Sequence, residues 1–270
     1  MHLLSSGLMM KQKGMLSESL RALRFYTGDV RKENPDDPIY SDAKAYVTLN
    51  SLLFEGTDTE KARCEEERKL NPAFLRNLKK TVQIMENLLG CMEACKKEET
   101  VYRVERLADY ACFKKEGMFT SFISCSDSGF LKNYEDKFDL VLMEVHIHKG
   151  VRCVRVQQAL SDYLKSEEKE VLIAPYTKVI YKETELKKEY ADIRDGRNNP
   201  PAVYVHVDVY PSERTVETPV YPSKEDIEKS VHFYESLNAH GLVAEDNWKA
   251  YVRVKRYIRS SINAYLNRQS

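Results

Sequence analysis

Hydrophobic positions recur with two different periods along this chain. From residue 15 to about 98 the spacing is helical: Leu16, Leu20, Leu23 and Val30, then Tyr46, Leu49 and Leu53, then Leu75, Leu78, Val82, Met85, Leu88 and Leu89. Apolar residues three and four apart mark a helix with one buried face. Asn34-Pro35-Asp36-Asp37-Pro38 is a turn with two helix breakers. Ser41-Asp42 can cap the second helix, Gly56-Thr57-Asp58 ends it, and Asn71-Pro72 opens the third with proline at a first helical position. From about 100 the pattern changes to short apolar runs between polar loops, which predicts strands over 100–107, 117–124, 140–148, 153–156, 170–175, 177–182 and 202–210. Residues 192–201 form a loop rich in Asn, Gly and Pro. After Pro222 the helical period returns. Ser223-Lys224-Glu225-Asp226 has capping-box spacing with Asp in the last place, and a long helix after Glu245 carries Trp248, Tyr251, Val254, Tyr257, Ile258 and Ile262. Helices, then strands, then helices is an α+β order.

A chain of 270 residues is one large domain or two small ones and can bury a substantial core. Lys+Arg and Asp+Glu both number 42, and this balance disfavours nucleic-acid binding through phosphate contacts. The six cysteines show no CxxC pair and read as reduced thiols, with Cys91 and Cys95 one helical turn apart on a packed face. No apolar run reaches membrane-spanning length, and residues 1–7 lack the features of a signal peptide. The expected location is a cytoplasm, either the cell's own or that of a target cell.

Chemistry concentrates in three stretches. Ser166-Glu167-Glu168-Lys169-Glu170-Val171-Leu172-Ile173-Ala174-Pro175 sets Glu168 and Glu170 two residues apart at the mouth of an apolar run, on one face of an extended backbone. Neighbouring carboxylates divide labour: one stays ionised beside a cation while the other handles a proton. Upstream, Val101-Tyr102-Arg103-Val104 puts an arginine inside an apolar strand. Phe122-Ile123-Ser124-Cys125-Ser126-Asp127 carries two serines at strand spacing. Seen alone, each has a plainer reading. The Glu-rich run would be a solvated face, Arg103 a surface strand residue, and the serines strand-end polar residues.

In this order the three stretches resemble the mono-ADP-ribosyltransferases of the Arg-Ser-Glu type, which include clostridial-type toxins and vertebrate ecto-enzymes. Ile39-Tyr40, Tyr46 and Leu49-Asn50-Ser51-Leu52-Leu53 are similar to that family's upstream helical segment, so the resemblance covers roughly residues 39–182. It implies a helical N-terminal layer packed on two facing, mostly antiparallel sheets. The implied division is a helical extension at 1–38, a catalytic domain at 39–210 and C-terminal helices at 211–270. NAD is the implied substrate. Glu170 would face the ribose, Glu168 and Tyr163 the acceptor, and Ser124 would hold Glu170. Arg103, with Tyr102, Val104, Ser126, Phe130 and Lys132, would line the NAD site. Glutamate at position 168 goes with arginine acceptors in the family, so the partner is a target protein offering arginine. Cys125 and Val104 depart from the family's usual threonine and its usual glycine or arginine. Two other readings stay open: a glycohydrolase using water as acceptor, and a silent relative that binds partners through its C-terminal helices. No metal is expected, because His146 and His148 share a strand face without a third ligand nearby. Tyr163 reads equally well as cover for the core edge. Arg253, Lys255, Arg256 and Arg259 read as a solvated basic face.

Overall fold

The computed structural model describes residues 18–28, 36–42, 44–54, 70–127, 140–160, 169–187, 202–211 and 217–269. The described chain forms two compact units. One comprises Met92–Glu213; the other joins Met1–Cys91 to Arg214–Ser270.

The joined unit is helical. It contains α1 (18–26), α2 (Ala45–Leu53), α3 (Ala73–Arg76), α4 (Leu78–Leu89), α7 (Lys224–Asn238) and α8 (Glu245–Arg268). The third predicted helix is two. Asn77 breaks it at φ −128°, and its side chain accepts the Lys80 N–H to start α4. Ser223 caps α7 as the spacing predicts, its Oγ accepting the Asp226 N–H at 3.1 Å and its hydroxyl meeting Asp226 Oδ2 at 2.9 Å. Aromatic side chains fill the centre, where Phe233 stacks on Tyr251 at 4.5 Å and the Tyr234 and Tyr251 hydroxyls meet at 3.1 Å. Full burial of each such ring is worth about 1.5–3 kcal/mol.

Helices from both ends of the sequence share this core. Lys255 Nζ donates to the Phe54 carbonyl at the end of α2 at 2.7 Å, and Asn238 donates to the Leu70 carbonyl at 2.8 Å. Lys255, expected on a solvated basic face, is 1% exposed. A lysine ammonium suits a helix C-terminus, where carbonyls lack intrahelical partners.

The second unit holds all nine described strands, in the order β1-β6-β7-β4-β2-β5-β9-β8-β3. They are β1 (Glu93–Ala94), β2 (Glu99–Arg106), β3 (Met118–Phe119), β4 (Ile123–Ser126), β5 (Leu140–Ile147), β6 (Arg152–Arg155), β7 (Glu170–Ile173), β8 (Thr177–Lys187) and β9 (Ala202–Tyr210). Helix α5 (Leu107–Glu116) follows β2 directly, and α6 (Val156–Ala159) follows β6. Hydrophobic periodicity does not mark α5, whose end is set by Lys114, Lys115 and a left-handed Gly117 at φ 61°.

Every described strand pair is antiparallel except β5 with β9. The expected core of two facing sheets is instead one hydrogen-bonded sheet. It is joined at its narrowest by a single registered pair between β2 and β4, Tyr102 with Ser126. That sheet is not flat. Phe119 and Ile123 lie five strand positions apart in the order, which is about 24 Å in a flat sheet. Four residues of chain span at most about 14 Å. The strands from β4 to β3 therefore curl, bringing the β3 edge round toward β4. The predicted strand 117–124 splits for the same reason, with β3 at one edge and β4 in the interior. Cys91 and Cys95 do not share a helix face, because α4 ends at Leu89 and β1 begins at Glu93.

Candidate active site

The three motif stretches occupy adjacent strands, in the order β7-β4-β2. On β4 and β7 Ser126 stands opposite Glu170, Cys125 opposite Val171 and Ser124 opposite Leu172. Alternation therefore places Ser124, Ser126 and Glu170 on one face and Cys125 on the other. Ser126 is the direct neighbour of Glu170, and Ser124 is the diagonal one. A backbone bond from Asp127 N to Lys169 O at 3.0 Å carries the ladder one step beyond the pair. The row continues past Ser126 through Tyr102 on β2, Glu144 on β5 and His206 on β9.

Arg103 follows Tyr102 and so stands on the opposite face of β2. Its guanidinium is engaged: Nη1 donates to the Ser124 carbonyl at 2.6 Å, Nε donates to Glu105 Oε2 at 2.8 Å, and Nη2 meets the same carboxylate. Glu105 is 7% exposed. Sequence reasoning missed this partner, although an acid two residues from a strand arginine lies on the same strand face. Arg103 thus ties β2 to β4 where their ladder is one pair wide.

Cys125, also close to Arg103, is 3% exposed, and burial pushes its thiol up to about 12. It remains a neutral thiol packed behind the serines. Asp127 accepts Arg155 Nη1 from β6 at 2.7 Å, while Arg155 Nη2 meets Glu99. The end of β4 is thereby tied to β6 and β2. Tyr102 is half-buried and Val104 is 6% exposed. Glu168, Tyr163, Phe130 and Lys132 lie outside the described residues.

No described helix is long and apolar enough to cross a membrane. The helical unit holds a cavity of about 460 Å³ whose lining includes Tyr221, Asp226, Arg253, Arg256, Tyr257 and Ser260 and none of the motif residues.

No family model matches the chain, and no curated protein matches it in sequence. Among solved structures it is similar to the catalytic domain of VahC from Aeromonas hydrophila (18% identity, 72% of this chain and 98% of that one, TM-score 0.41). It is also similar to the Vis toxin, an ADP-ribosyltransferase from Vibrio splendidus (16% identity, 77% and 86%, TM-score 0.36). A third is an ADP-ribosyltransferase toxin, Plx2a, from Paenibacillus larvae (15% identity, 62% and 91%, TM-score 0.36). In its ordered motifs the chain resembles the mono-ADP-ribosyltransferases of the Arg-Ser-Glu type, and the solved structures it matches include bacterial ADP-ribosyltransferases.

Proposed function

We propose that this chain cleaves NAD between nicotinamide and ribose and transfers the ADP-ribosyl group to a protein side chain, an arginine. The observation that supports this reading is the adjacency of the three motif strands, with Ser126 opposite Glu170 and Ser124 on the same face.

The chemistry asks for what that face offers. When the glycosidic C–N bond breaks, its electron pair leaves with nicotinamide, and positive charge develops across the ribose C1′ and ring oxygen. A fixed carboxylate beside that charge lowers the barrier, and preorganised groups of this kind supply the largest catalytic contributions. Glu170 fills this role, positioned by its strand and by the serines across from it. An arginine acceptor then forms a bond from a guanidinium nitrogen to C1′ and must lose a proton, which Glu168 takes. A carboxylate also orients a guanidinium through paired hydrogen bonds.

In this reading Arg103 serves the NAD phosphates or the adjoining ribose, as the resemblance implies; because it stands on the face of β2 away from Glu170, it does so only by leaving Glu105 and the Ser124 carbonyl and turning past the one-pair β2–β4 ladder. Tyr102 and Val104 border the nicotinamide. Phe130 stacks on that ring, Lys132 meets a phosphate, and Tyr163 grips the protein substrate. The target is a protein in the cytosol where the chain acts.

The test is nicotinamide release from NAD by the purified chain, with and without agmatine as an arginine analogue. The expected result is release that rises with agmatine, together with an ADP-ribosyl-agmatine product. Glu170→Gln should lower both activities by about 10²–10³-fold or more. Glu168→Gln should keep NAD cleavage within about tenfold while losing the agmatine product. Equal loss of both activities in Glu168→Gln would remove the role given to that residue. Absence of any release by the unmodified chain would overturn the reading.

A further inference from the structure

A second cluster of chemistry-bearing side chains lies further along the same sheet. On the parallel pair β5 and β9, Glu144 stands opposite His206, and His146 follows Glu144 by two residues on the same face. Glu144 Oε1 is 3.2 Å from His146 Nε2 and 3.6 Å from His206 Nδ1. The three donor atoms all lie within 4.8 Å of one another. A tetrahedral zinc site with bonds of about 2.0–2.1 Å has ligand-to-ligand edges of about 3.3–3.4 Å. Two such edges are nearly in place.

The far sides of two of these groups are held as well. Thr100, the cross-strand partner of His146, places its hydroxyl 3.0 Å from His146 Nδ1. The Tyr204 hydroxyl donates to Glu144 Oε2 at 2.5 Å. Each contact fixes a group so that its other atom points into the cluster, as the outer partners of metal ligands do. An ordinary ion pair would set one imidazolium against one carboxylate. Here two imidazoles from different strands converge on a single oxygen. Side-chain exposures of 22% for Glu144, 28% for His206 and 37% for His146 leave the cluster open to solvent. Two imidazoles and a carboxylate suit zinc and neighbouring first-row divalent ions better than magnesium or calcium.

We infer that Glu144, His146 and His206 form a binding site for one zinc-class divalent ion, with a fourth position open to water. The ion joins β9 to β5 across the one parallel ladder among the described strands. The sequence pointed to His146 alone with its neighbour His148; the third and decisive ligand comes from a strand about sixty residues on, in register only after folding. The other cluster of this kind among the described residues, Cys95, Glu99 and Cys153, is less suited to a cation because Arg155 already pairs with Glu99.

The experiment titrates the purified, chelator-stripped full chain with zinc by calorimetry and with cobalt by absorption spectroscopy, with circular dichroism to confirm that each variant folds. The expected result is one equivalent of zinc per chain, and cobalt bands in the visible without the near-ultraviolet band of a thiolate ligand. His146→Ala and His206→Ala should weaken binding about 100-fold or more, and Thr100→Val about 10–100-fold. Cys153→Ser should leave binding intact. No zinc binding by the unmodified chain, binding that survives both histidine variants in folded protein, or a thiolate band lost in Cys153→Ser would each overturn the inference. None of these readouts depends on NAD turnover.

Discussion

At the scale of single residues, four cysteines show how surroundings set chemistry. Cys95 Sγ lies 2.9 Å from Cys153 Sγ, and the hydrogen bond between the thiols draws the Cys95 thiol below its ordinary value while Cys153 is pushed far up. Burial pushes Cys91 up to about 11 and Cys125 up to about 12. The thiolate is the nucleophile, so reactivity follows these directions. Of these four, iodoacetamide at about pH 8 should modify Cys95 first, with Cys91 and Cys125 protected until the protein unfolds. Peptide mapping by mass spectrometry over a time course checks this, and early labelling of Cys125 would contradict its placement behind the serines. The same dependence on surroundings governs Arg103. The resemblance sets its guanidinium in the NAD site, and in the fold it meets Glu105 and the Ser124 carbonyl.

Elements owe their ends to a few polar contacts, and Asp226 is the clearest case. The sequence placed it in a capping box at the start of α7. The structure adds Arg253 from α8, whose Nε and Nη2 reach Asp226 Oδ1 at 2.9 and 2.6 Å. Arg253 is the main reason the Asp226 carboxyl sits below its usual range, with burial opposing and Ser223 assisting. A carboxylate with a depressed folded value contributes stability in full above its unfolded value, near about 3.9, and loses it as pH falls through the folded value. Asp226→Asn should therefore cost about 0.5–1 kcal/mol at pH 7, since Arg253 is half-exposed and Ser223 still caps the helix through the backbone N–H of residue 226. The difference between variant and parent should shrink toward zero as pH is lowered through that window. Urea unfolding at a series of pH values measures it, and a gap that stays constant or widens on acidification would reverse the sign. Helix α5 belongs to the same scale: its two buried aromatics, Tyr110 and Phe113, gave too short an apolar pattern to stand out, and only the Lys-Lys-Glu-Gly ending announced it.

For the whole molecule, the division into two units follows contacts rather than chain order. Arg76 pairs with Glu235, Asn238 donates to the Leu70 carbonyl, and Lys255 closes the end of α2, so the first and last helices complete one core. Ending the chain at Glu213 removes α7 and α8, of 15 and 24 residues. It also strips the partners from α2, α3 and α4, and helices this short are marginal alone in water. The loss of helical circular dichroism should exceed the share of the two deleted helices, and amides in 44–54 and 70–89 should lose hydrogen-exchange protection. Protection that persists there in the shortened chain would show that the N-terminal helices hold a core of their own.

What the sequence determined by itself was local. Periods of 3.6 and 2, helix caps and breakers are written in neighbouring residues, because backbone geometry fixes which of them share a face. That suffices for the helices before 90 and after 223, for most strands, and for setting Ser124, Ser126 and Glu170 on faces of their own strands. Tertiary structure alone decided the remainder. Which strands are neighbours, whether they close as one curled sheet or two, which charge Arg103 meets, and that His206 joins Glu144 and His146 all depend on register between segments far apart in sequence. Register follows from burying one face of every strand at once, and a single strand's pattern does not carry that information.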